Sequence, residues 1–102
     1  MNEIEKMYKN AGIEKTFYNI YTNECIYPPF TAEKQIEILK LLTNRCDLTI
    51  SRFTEWEFIH FDGQEPIQIT GKDFTETFAK LINAYWQSLA EEEKQQVKGI
   101  LE

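Results

Sequence analysis

The chain has 102 residues, of which 42% are hydrophobic and 14% aromatic, and it carries a net charge of −6. So much apolar side chain excludes wholesale disorder, and the length suits one core and not two. An acidic chain with a pI near 4.8 is repelled by a nucleic-acid backbone, and no apolar run reaches the roughly 18 residues that a membrane helix needs. The polar start, MNEIEKMYKN, lacks the apolar centre of a secretory signal, which predicts a cytoplasmic protein.

Residues Asn2 to Ala11 place Ile4, Met7, Tyr8 and Ala11 on one side of a short helix, which Gly12 can end by adopting positive φ. From Ile13 to Phe30 neither helical nor strand spacing is sustained. Phe17, Tyr18, Ile20, Tyr21, Ile26 and Tyr27 lead into Pro28-Pro29, and the stretch reads as an ordered aromatic loop packed over the core. Tyr18, Tyr21, Tyr27 and Phe30 could instead form a recognition surface, but covering the helices is the simpler expectation.

Thr31 is placed to cap a second helix, Ala32 to about Thr43, with Glu33 in its first turn. Ile36, Leu39 and Thr43 make one seam, and Ile38, Leu41 and Leu42 widen it beyond half the circumference. This helix is expected to be largely buried, with Glu33, Glu37 and Lys40 as its polar stripe.

From Asp47 the period changes to two, with Leu48 and Ile50 alternating with Thr49 and Ser51, and Glu55 to Phe61 continues in strand-forming composition. Asp62-Gly63 predicts a two-residue type I′ hairpin, because both turn positions need φ > 0. That turn pairs Phe61 with Gln64. It sets Trp56 opposite Ile69, Phe58 opposite Ile67 and His60 opposite Glu65 on one face, with Glu55, Glu57 and Gln68 on the other.

Gly71 ends the strand, and Asp73 to Leu89 is the main core helix. Phe74, Phe78, Leu81, Tyr85 and Leu89 line one row; Ala79, Ile82 and Trp86 add a second, giving an apolar arc of roughly 160° opposite Glu76, Lys80, Asn83 and Gln87. Asp73 and Glu76 have the form of a capping box. Ser88 with Glu91 repeats that signature, so the chain either breaks at Ser88 into a final helix through Ile100 or continues as one helix. Leu89, Val97, Ile100 and Leu101 supply the apolar stripe there. The fold expected is a single α+β domain over residues 1–102: two amino-terminal helices, a small antiparallel sheet with a hairpin at Asp62-Gly63, and a long or split carboxy-terminal helix.

Chemistry-bearing patterns are sparse. His60, the one histidine, is expected in a surface cross-strand pair with Glu65. Cys25 and Cys46 are far apart with no second pair to complete a zinc site, so free thiols are expected. The glycines at 12, 63, 71 and 99 are isolated and form no phosphate loop. Consecutive Glu91, Glu92 and Glu93 point in different directions around a helix and suit its first turn better than a metal. Neither a catalytic constellation nor a cofactor or metal site is expected.

At YPPFTAEKQIEILKLL, residues 27–42, and at FAKLINAYWQSLAEEEKQQVKGILE, residues 78–102, the chain resembles a group of small proteins encoded in phages and prophages of Gram-positive bacteria. The start, MNEIEKMYKNAG, is similar to the same group. Some members carry a cysteine-rich insert where this chain has TFYNIYTNECI. The resemblance implies a genomic setting in a bacterial host, and it carries no site residues onto this chain.

The leading expectation is a non-enzymatic accessory protein that binds a host or phage protein. The rivals are an enzyme whose site is dispersed through the sequence and a small oligomeric structural component. Between Phe53 and Gly71 stand Glu55, Glu57, Asp62 and Glu65 with no Lys or Arg, an acidic patch suited to steering a basic partner or simply to solubility.

Overall fold

In the computed structural model, which describes residues 2–45, 47–61 and 66–102, the chain opens with helix α1, Glu3–Asn10. Asn2 caps it, its side chain accepting from the Glu5 amide at 2.8 Å. At the other end Gly12 takes φ +73°, and the amides of Gly12 and Ile13 return to the carbonyls of Lys9 and Tyr8. This is the paired closure that a left-handed residue permits, and it turns the buried Ile13 back toward the core.

The aromatic stretch that follows is a β-hairpin, where the spacing predicted a loop. Strands β1, Phe17–Asn19, and β2, Glu24–Ile26, pair antiparallel and join no other sheet among the described residues. Three residues per strand are too few to establish a period of two, which is why alternation was not visible. Helix α2, Ala32–Arg45, begins as expected, with the Thr31 hydroxyl accepting from the Lys34 amide at 3.4 Å. Its burial is narrower than its composition suggested. Ile38 and Leu42 are fully buried, Leu39 and Leu41 half-buried, and Ile36 exposed.

Strands β3, Asp47–Arg52, β4, Trp56–Phe61, and β5, Ile67–Gly71, form an antiparallel meander with β4 in the centre. The faces are those expected: Phe58 and His60 are buried on one side, and Gln68 reaches Glu57 at 2.7 Å on the other. The register is not. Trp56 pairs with Gly71, Phe58 with Ile69 and His60 with Ile67, two residues from the expected pairing. The expected register put Pro66 in the ladder opposite Ile59, where its missing N–H cannot bond; the observed one begins β5 after it. A shift of two leaves every side chain on its own face. The turn itself, Asp62-Gly63 with Gln64 and Glu65, lies outside the described residues.

Helix α3, Phe74–Tyr85, lies on the buried face of this sheet, with Phe74 and Phe78 against Phe58 at ring separations of 5.3 and 5.7 Å. Asp73 caps it through the Glu76 amide at 2.8 Å. Glu76 does not complete the box. Its carboxylate instead accepts from the Glu3 amide at 2.7 Å, capping α1, and Asn83 holds the Glu3 carbonyl at 2.9 Å. The expected polar side of α3 is therefore partly the seat of α1.

The chain breaks at a single 3₁₀ turn, Trp86–Ser88, and resumes as α4, Glu91–Leu101. The cap is Ala90, whose amide donates to Glu93 at 3.1 Å, while the Ser88 hydroxyl donates back to the Tyr85 carbonyl. Val97 and Leu101 are buried, and Lys34 on α2 donates to the Leu101 carbonyl at 3.0 Å, a cation at a helix C-terminus. Among the described residues the fold is thus α+β with four α-helices and two antiparallel sheets, in the order helix, hairpin, helix, meander, two helices. One helix, not two in succession, precedes the first strands.

Candidate functional site

The β1–β2 hairpin is the surface that the rest of the fold does not explain. Its root is anchored on both sides. Ile13 is buried before it, and after it Tyr27 stacks on Tyr8 at 5.0 Å, Pro28 is buried, and Phe30 stacks on Phe78 at 6.2 Å. Beyond that root the side chains turn to solvent: Phe17 and Ile26 are exposed, with Tyr18 at 58%, Ile20 at 74% and Tyr21 at 92%.

The tip is built, not loose. The Asn19 side chain accepts from the amides of Tyr21 and Thr22 at 2.9 and 3.4 Å, and the Asn23 amide bonds to the Asn19 carbonyl at 2.8 Å. Asn23 closes the turn at φ +58°, a conformation asparagine tolerates better than most residues. Two asparagines in a span of five residues were the legible sign of this turn. Ile20 and Tyr21 are consequently held out at fixed positions, already organised for contact. From Thr16 to Phe30 Glu24 is the one charged residue, whereas the chain as a whole is 27% charged. The projecting finger is apolar and nearly neutral on an acidic body.

Of the four acidic residues singled out from sequence, Glu55 and Glu57 are among the described residues. Glu55 lies exposed in the turn between β3 and β4, and Glu57 is half-buried in β4 and engaged by Gln68. Asp62 and Glu65 lie outside the described residues. His60 is no surface residue: it is 1% exposed, opposite Ile67, with its ring edge on Tyr85 at 3.7 Å. Its position on the core face of β4 accounts for this, since that face lies on α3. Cys25 is an exposed free thiol on β2, and Cys46 is outside the described residues.

No family model, characterised protein or solved structure matches this chain.

Two further features compete with the hairpin as sites. An apolar hollow of about 250 Å³ lies between α2 and α3, lined by Ala32, Gln35, Ile36, Leu39, Phe74 and Phe78. The Gln35 amide group in its wall is already occupied by the Phe30 carbonyl and the Thr75 hydroxyl at 3.1 and 3.2 Å. The hollow therefore offers a bound molecule little directional chemistry. Phe53, 97% exposed, is a single ring at the β3–β4 turn. Among the described residues no cluster of His, Cys, Asp or Glu is arranged to hold a metal ion.

Proposed function

We propose that this chain is a protein-binding module and that the β1–β2 hairpin is its contact surface. The observation that carries this reading is the exposure of Tyr18, Ile20 and Tyr21 on a turn held by its own hydrogen bonds. Tyrosine brings large contact area with few rotatable bonds, and the neighbouring Thr22 and Asn23 bring adaptable hydrogen bonding, a combination suited to recognising protein surfaces. A monomer with no partner gains nothing by holding these side chains in water.

The resemblance to small prophage-encoded proteins supplies a setting for the module. It would act in the bacterial cytoplasm as a non-enzymatic accessory protein, with a host or phage protein as partner. The acidic residues Glu55 and Glu57 would then act at a distance, steering association without forming the contact.

The test is affinity capture from lysate of the bacterial host with the parent chain and with Ile20→Ser plus Tyr21→Ser, both exposed positions whose replacement leaves the core intact. Proteins retained by the parent and lost by the variant, with unchanged circular dichroism, are the expected result. Identical capture by both would move the surface elsewhere, first to Glu55 and Glu57, where Glu55→Lys with Glu57→Lys should slow association.

A further inference from the structure

We infer that the hairpin's partner includes a second copy of this chain, β2 pairing with β2 of that copy about a two-fold axis to give a four-stranded antiparallel sheet. This rests on the reading of the hairpin as the contact surface and names what it contacts.

Three observations point to self-pairing. First, β1–β2 is a two-stranded sheet with three residues per strand and no further strand beside it among the described residues, which leaves backbone donors and acceptors open at its edges. Two strands are at the lower limit of what holds in water, and four are well inside it. Second, all three residues of β2 are exposed, whereas Asn19 in β1 is half-buried and Phe17 lines a hollow with Lys98 of α4 and Glu102 just after it. The edge of β2 is the more accessible one.

Third, the charge distribution selects this surface for self-contact. Two copies of a chain of net charge −6 repel each other, and the repulsion is least where the contacting segment is nearly neutral and held away from the body. Thr16 to Phe30 is such a segment, with Glu24 alone charged. Antiparallel pairing centred on Cys25 also keeps the two Glu24 side chains apart, because each falls opposite Ile26 of the other copy. Exposed Ile26 is drawn into the joint.

The register supplies the test. Ile26→Lys places a lysine opposite Glu24 of the second copy, and Ile26→Glu places a second carboxylate there; either change loses the same apolar contact with Phe17 within the chain. Sedimentation equilibrium across a concentration series should show the parent passing from monomer to dimer, more readily as salt screens the acidic bodies. Ile26→Glu should weaken the dimer by roughly tenfold relative to Ile26→Lys, since two like-charge pairs replace two opposite-charge pairs.

Equal weakening in the two variants, or a dimer unaffected by either, would overturn the β2–β2 pairing. A parent chain that stays monomeric to its solubility limit would overturn self-association altogether. If that monomer still captures another protein through Ile20 and Tyr21, the hairpin remains the contact surface and only its self-pairing falls.

Discussion

Gly71 and Gly99 show how one substitution takes opposite signs in two settings. A Cβ built on Gly71 collides with the Thr77 hydroxyl, which is buried and held by the Asp73 carbonyl, so neither side can yield cheaply. Gly99 sits inside α4 with nothing within 4 Å of its would-be Cβ. Gly71→Ala should therefore cost about 1 to 3 kcal/mol by overpacking. Gly99→Ala should gain roughly 0.5 to 1 kcal/mol by removing backbone freedom from the unfolded chain. Urea denaturation of the two variants checks this, and a shift of the same sign in both would contradict it. Tyr8 is the other residue with a sharp expectation. Its hydroxyl is buried with no hydrogen-bond partner among the described residues, and burial pushes its pKa from 10 up to about 12. The unfolded chain releases that proton first. The stabilisation is thus complete below pH 10 and falls as pH rises from 10 to 12. Tyr8→Phe should flatten that alkaline decline while changing neutral-pH stability by no more than about 1 kcal/mol, since no bond is lost. Urea midpoints measured across that pH range decide it.

At the level of elements, α3 organises the molecule because two partners use different sides of it. Phe74, Phe78 and Tyr85 meet Phe58 and His60 of β4, and Glu76 and Asn83 receive α1. Phe78→Ala or Leu81→Ala removes a fully buried side chain and should cost roughly 2 to 5 kcal/mol, whereas exposed Lys80→Ala should stay within about 0.5 kcal/mol. Equal stability of the three variants in chemical denaturation would mean that this face is not the core. The seating of α1 lies beyond a helical-wheel argument. Glu76 satisfies the first-turn spacing for its own cap, yet the amide it binds belongs to a residue 73 positions away. Local spacing identifies a carboxylate at a helix start, but which open N–H it meets depends on what packs nearby.

The whole molecule divides into a cooperative body and a finger that contributes little to it. Amides of Phe17 to Ile26 in a dilute solution should exchange through local opening, insensitive to low denaturant, while those of β4 and α3 should exchange only with global unfolding. Equal protection of the two sets by hydrogen-exchange NMR would make the hairpin part of the core. By itself the sequence determined α1 and α3, the cap of α3 at Asp73, and the inward face of β4, because helix and strand spacing decide which side chains share a side. Tertiary structure decided which of these sides were covered. Apolar spacing states which side of an element is able to be buried, and burial needs a neighbour to arrive. Among the described residues none covers Ile36 on α2, and none covers Tyr18, Ile20 or Tyr21 on the hairpin. The candidate surface was visible as an aromatic composition, but its exposure was not, since no local pattern records the absence of contact with residues distant in the chain.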